Sequence, residues 1–225
     1  GQVNAHFEGL GHLLDPVHER EALRAVLAHN RRHGFEGHFN HMRSYVLGDE
    51  TALLMASYPR GRRPARPFPY YTEVMTGFEY CVALHLAQEG MVRDALKVVR
   101  DIRARYDGRK RNPFDEAECG HHYARALNSW GLIPALTGFH YSALTGALSF
   151  APSRRHVKWF WSSGAAWGTV ELAPTRRRTK VTLRGLGGRL ALRQFALTDF
   201  GRKEFKAEKI LAPGRPLTLE IAPAA

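Results

Sequence analysis

The sequence predicts a mainly α-helical chain that ends in a β-rich part. Two observations carry this expectation. Up to about residue 145, apolar residues recur every three to four positions, the period of a helix with one buried face. After Thr145 the period falls to two and glycines recur at short intervals, as in strands joined by tight turns. The chain therefore divides into 1–145, read as helical hairpins, and 146–225, read as short antiparallel strands.

His6, Leu10, Leu13 and Leu14 suggest the end of a first helix. Asp15-Pro16 starts a second: the Asp carboxylate accepts from free N–H groups of the first turn, and proline fits where no N–H is required. Its apolar face is Val17, Ala22, Leu23, Val26 and Leu27. From His33 to Arg66 the pattern is irregular, with one apolar run, Ala52–Ala56, of strand length. Gly61–Pro69, rich in proline and arginine, holds no regular element. Helices resume at about Tyr71. Phe78, Val82, Leu86 and Ala87 form one stripe, which Gly90 ends. Val92, Ala95, Leu96, Val98 and Val99 form the next, running to Tyr106. A further helix is expected from His121 to about Thr137, with Tyr123, Leu127 and Trp130 on a buried face. Short connections make these antiparallel hairpins. The strands expected beyond them are Leu148–Phe150, Val157–Trp161, Thr169–Leu172, Lys180–Leu183, Leu190–Leu192 and Leu217–Ile221.

At 225 residues and 44% hydrophobic content the chain can bury a sizeable core. It has no apolar run of about 18 residues, so no membrane span is expected. No charged-then-apolar leader is visible, which favours a cytoplasmic location; Gly1-Gln2, without an initiator Met, reads as the interior of a longer protein. Two cysteines, Cys81 and Cys119, cannot build a disulfide framework, and Cys81 reads as a small buried hydrophobe. Lys and Arg number 33 against 21 acids, a formal net charge of +12. The clusters Arg60–Arg63, Arg105–Arg111 and Arg176–Arg178 lie apart and are not interleaved with stacking aromatics, so nucleic acid is not an expected partner.

The densest polar chemistry lies in Asn112–Trp130. Asp115, Glu116, Glu118, His121, His122 and Arg125 fall between two breaks, Asn112-Pro113 and Gly120, and the start of the expected helix. A loop held by a packed helix suits a binding site; the alternative is a surface loop whose acids favour a helix terminus. His29, His33, His38 and His41 have spacings seen among zinc ligands, but Arg31, Arg32 and Arg43 stand among them and no cysteine joins them, so no metal site is expected. No Gly-rich phosphate loop or nucleophile elbow occurs, and no cofactor is expected.

Three stretches carry a resemblance. They are Pro67–Tyr80 (PFPYYTEVMTGFEY), Arg105-Tyr106-Asp107-Gly108, and Pro113–Arg125 (PFDEAECGHHYAR). In order and spacing they resemble the C-terminal part of the catalytic region of glycoside hydrolase family 116, which includes non-lysosomal glucosylceramidases and bacterial β-glucosidases. The resemblance spans about residues 1 to 170. It implies a retaining β-glycosidase that hydrolyses O-glycosidic bonds with two carboxylates about 5–5.5 Å apart. It also implies an (α/α)6 barrel, of which this chain would hold the last hairpins, leaving Leu86, Val98, Val99 and Leu136 facing absent helices. Both family carboxylates lie upstream of the region matching Gly1. No residue here is therefore assigned as catalytic, and the N-terminal remainder of the same protein becomes an implied partner.

By the same resemblance, Glu116 and Arg125 are sugar-binding residues of the −1 subsite, with a carbohydrate, a β-glucoside or related glycoside, as ligand. A carboxylate accepts from sugar hydroxyls and a guanidinium donates to them. The alternative is a buried Glu–Arg pair that fixes the loop to its helix. Glu73 either lines the same pocket or pairs with a nearby arginine; His122 and Tyr71 are further candidates for substrate contact. Met75 stands where many relatives have Trp, which bears on sugar identity. The second functional class left open is a non-catalytic carbohydrate-binding or structural module.

Overall fold

The computed structural model describes residues 1–116, 121 and 125–224, in two compact units, Gly1–Leu132 and Ile133–Ala225. The first unit begins with helix α1 (Gln2–Phe7) and helix α2 (Pro16–Asn30). Asp15 caps α2 as its position before proline requires, with Oδ1 accepting from the Val17 N–H at 2.7 Å. Strands β1 (Arg31–His33) and β2 (Thr51–Leu53) then pair antiparallel, Arg32 opposite Ala52.

Helix α3 (Thr76–Gln88) begins later than the expected start near Tyr71. Residues 71–74 are instead engaged by the chain after β2: Met55 N–H donates to the Glu73 carbonyl, Ala56 N–H donates to Tyr71, and Val74 bridges to Leu54. α3 is buried over most of its circumference, so its apolar pattern has little one-sidedness. Helix α4 (Val92–Arg105) follows after three residues, turned at Gly90, to complete a helical hairpin. Its Ala95, Val98, Ile102 and Arg105 form a single buried stripe.

The second unit is a sandwich of two four-stranded sheets. Strands β5 (Val157–Ser162), β6 (Ala166–Pro174), β7 (Thr179–Gly188) and β10 (Leu217–Ile221) make one sheet, in the order β10-β7-β6-β5. Strands β3 (His140–Ser142), β4 (Ala147–Phe150), β8 (Leu190–Leu197) and β9 (Gly201–Leu211) make the other, in the order β3-β4-β8-β9. Alternate residues from both sheets, among them Phe150, Trp161, Val170, Leu183, Leu192 and Phe195, form one apolar core.

These observations correct the expected fold. The chain is 29% helical and 31% strand, with five helices and three sheets among the described residues. It is a mixed α and β fold, not a mainly α chain and not a partial (α/α)6 barrel. The physical reasons are local. Residues 31–75 form short strands and irregular chain where a barrel would need helices. The expected helix over His121–Thr137 is, where described, a 3-10 segment (Arg125–Gly131) followed by a short helix α5 (Leu132–Thr137). Leu127 and Trp130, three residues apart, share one side of a 3-10 turn, and that side faces solvent at 58% and 71% exposure. Of the four residues expected to face absent helices, Leu86 and Val98 are fully buried, Val99 is half-buried and Leu136 is exposed.

The strands also differ from short and antiparallel. β6, β7, β8 and β9 span eight to eleven residues, and β4 pairs with β8 in parallel, Ala147 opposite Gln194. Gly185, Gly187 and Gly188 look like punctuation but lie inside β7. A Cβ at Gly187 would strike the Trp167 indole of β6, so glycine there serves packing across strands. No helix among the described residues is long and apolar enough to cross a membrane.

Candidate functional site

Three distant segments of the first unit converge on the N-terminus of α3. Gly77 lets the 3-10 segment approach: a Cβ there would meet the Arg125 Cβ at 2.9 Å. Asn128 fastens the same segment by donating from Nδ2 to the Gly77 carbonyl at 2.9 Å. Arg125 is thereby held beside Thr76. From the loop after α4, Glu116 meets the same residue, its Oε1 accepting a short hydrogen bond from the Thr76 hydroxyl.

Glu116 and Arg125 line one cleft, together with Tyr45, Val74, Met75, Thr76 and Tyr106. Its free volume is about 10 Å³, room for one water molecule or one hydroxyl group. Burial pushes the Tyr106 phenol above its ordinary value, and the nearby Glu116 carboxylate pushes it further. Burial acts on Tyr80 in the same direction, with Glu79 and Glu116 adding to it. Both phenols are neutral at pH 7, as an ordinary phenol already is, and able to donate as well as accept.

Glu73 is fully buried but does not line this cleft. Its carboxylate takes a two-pronged grip from Arg43, Nε to Oε1 at 3.2 Å and a terminal nitrogen to Oε2 at 3.0 Å. The Arg43 guanidinium lies over the rings of Tyr45 and Tyr70, 5.3 Å from each centroid. Of the two alternatives for Glu73, the arrangement is the arginine pair, and through Arg43 it fixes the Tyr45 wall of the cleft.

Tyr71 stands apart, its hydroxyl accepting from Arg63 at 2.7 Å. His122, Glu118 and Tyr123 lie outside the described residues. The histidines of residues 29–41 do not converge: His33 meets the Thr51 hydroxyl at 2.8 Å, His38 meets the Thr72 carbonyl at 3.1 Å, and His41 packs by Tyr71.

Sequence reasoning singled out Glu116, Arg125 and Met75, which the structure brings together. It missed Thr76, Tyr45 and Tyr106 as cleft residues. Thr76 and Tyr106 lie inside the stretches that carry the resemblance, so a signal for them existed; Tyr45 lies in irregular chain and had none. A second polar core lies close by. Glu79 and Arg105 pair within the helical hairpin, each side chain 1% exposed, while Leu53 N–H donates to Glu79 Oε1 at 2.9 Å and Arg105 donates to the Thr51 carbonyl at 2.6 Å. Compared with known proteins, the sequence matches no family model and no curated protein.

Proposed function

We propose that this chain contributes the sugar-hydroxyl recognition of a retaining β-glycosidase, through Glu116 and Arg125, with the two catalytic carboxylates supplied by other parts of the intact protein. One observation supports the reading above others: a carboxylate and a guanidinium nine positions apart, already a pair by resemblance, line one hydroxyl-sized cleft. The cleft is too small for a pyranose ring. It suits the edge of a sugar, one hydroxyl entering between a carboxylate that accepts and a guanidinium that donates. Each such charge-assisted bond contributes roughly 1.5–3 kcal/mol.

In the intact enzyme, Glu116→Gln or Arg125→Ala lowers kcat/KM about 10- to 1000-fold with little change in Tm. Near wild-type kcat/KM in both variants would sink the reading. The Thr76–Glu116 hydrogen bond favours a second reading, in which the pair is a strut joining the loop to α3. A large fall in Tm with unchanged kinetics of the folded fraction selects that one. The chain alone, incubated with an aryl β-glucoside, gives no turnover at enzymatic rates. Turnover abolished by Glu116→Gln would instead place a catalytic carboxylate in this cleft.

A further inference from the structure

We propose that His6, His12, Glu19 and Glu89 form a binding site for a divalent zinc-like cation. The four residues come from α1, the α1–α2 loop, α2 and the end of α3, and one ligand atom from each lies within 4.8 Å of all the others. Glu89 Oε1 stands 3.1 Å from His6 Nε2 and 3.7 Å from His12 Nδ1, and Glu19 Oε2 stands 2.7 Å from His12 Nδ1. Ligands about 2.0–2.1 Å from a tetrahedral zinc are about 3.4 Å from one another, so these three separations bracket the required edge.

A second observation points to a ligand. Glu19 is 4% exposed, yet its Oε1 has no hydrogen-bond partner among the described residues. A buried carboxylate oxygen without a partner is costly, and a metal ion satisfies it. Arg20 donates to Glu89 Oε2 at 3.2 Å and so turns Oε1 toward the two imidazoles, an outer-shell contact of the kind that orients a ligand carboxylate. On binding, the cation replaces the Gln2 side-chain amide, which lies 3.1 Å from His6 Nε2.

Two imidazoles and two carboxylates select a borderline cation over Ca²⁺ or Mg²⁺, which prefer all-oxygen shells. Four protein ligands make the site closed and structural. It ties α1 and the α1–α2 loop to α2 and to the end of α3. Nothing in this site depends on the carbohydrate reading.

The test is titration of the full chain with Zn²⁺ against a fluorescent chelator, with Ca²⁺ and Mg²⁺ as comparisons. One equivalent of Zn²⁺ binds and raises Tm, while Ca²⁺ and Mg²⁺ do neither. His12→Asn retains a hydrogen-bonding atom near Glu19 but not the imidazole, and weakens zinc binding at least about 10- to 100-fold. Zinc-edge X-ray absorption on the wild-type chain, which requires no variant to fold, shows nitrogen and oxygen neighbours near 2.0 Å with imidazole scattering. Absence of stoichiometric zinc binding, sulfur neighbours near 2.3 Å, or unchanged affinity in folded His12→Asn would each overturn the proposal.

Discussion

The two units solve the problem of a core in different ways. In the second, two sheets close on side chains that are almost all hydrocarbon, and its only buried polar residues among those described are Thr137 and Thr179. In the first, carboxylates are buried throughout: Glu19, Glu50, Glu73 and Glu79, with Arg105 beside Glu79. Arg111 reaches Glu50 with a terminal nitrogen at 3.1 Å from Oε2, and Arg43 grips Glu73. The lesson concerns where chemistry can be held. Apolar packing is non-directional and tolerates sliding, whereas buried ion pairs fix particular atoms at particular distances. The cleft at Glu116 and the histidine–glutamate cluster both lie in the unit with the directional core.

The sharpest contrast comes from removing one core partner in each unit. Arg105→Met strands Glu79 and costs about 3–5 kcal/mol, whereas Glu79→Met with Arg105→Met costs less than either single change. In the sandwich no such rescue exists: Leu183→Ala costs about 2–5 kcal/mol through lost burial and an unfilled cavity. Thermal melts separate the two, with far-UV CD following the helices of the first unit and near-UV CD following buried Trp161 of the second. A double variant no better than Arg105→Met would show that the pair contributes through its geometry more than its charge.

A smaller effect is expected where the 3-10 segment meets α3. Gly77→Ala forces its new methyl against Arg125 and costs about 1–3 kcal/mol of overpacking. It also displaces Arg125, so under the proposed glycosidase role kcat/KM of the intact protein falls further than Tm alone would suggest. Equal Tm and kinetics in wild type and variant would show that the cleft is not positioned by that contact.

The smallest effect is at the cap of α2. The Val17 N–H, bonded to the Asp15 carboxylate, holds the Asp15 pKa below its ordinary value of 3.8. A folded-state pKa that is depressed stabilises above the unfolded value and loses that contribution as pH falls through the folded one. Asp15→Ala therefore lowers Tm at pH 7, and the difference from wild type shrinks as pH drops below about 4. A difference that stays constant down to pH 2 would mean that the carboxylate charge is irrelevant to the cap.

Much of the sandwich could be read from sequence because strands such as β4, β6 and β7 bury every second side chain, as Val170 and Leu172 do in β6. β9 could not. Its Arg202, Lys203, Glu204, Lys206, Glu208 and Lys209 give no alternation, because β9 is an edge strand whose charges keep other chains from pairing with it. In the first unit Asp15-Pro16 announced α2 and the Val92–Val99 stripe announced α4. Of the glutamates of its core, Glu19, Glu50 and Glu79 gave no signal, since a buried Glu and an exposed Glu look alike until the partner is placed. The cleft was half legible for the same reason. The resemblance linked Glu116 to Arg125, but Tyr45 arrives from an irregular segment held by the Glu73–Arg43 pair, not by local pattern.

The parallel pairing of β4 with β8 sets an order of events during synthesis. Ala147 faces Gln194, so the strand made early cannot find its neighbour until some fifty residues later have emerged. By then β5, β6 and β7 can already be joined through successive antiparallel turns. The sheet of β3 and β4 is therefore completed only after the ribosome has released β8 and β9. Until then Leu148 and Phe150 stay uncovered, and a pause in translation before Leu197 prolongs the interval in which a nascent chain meets chaperones or other chains.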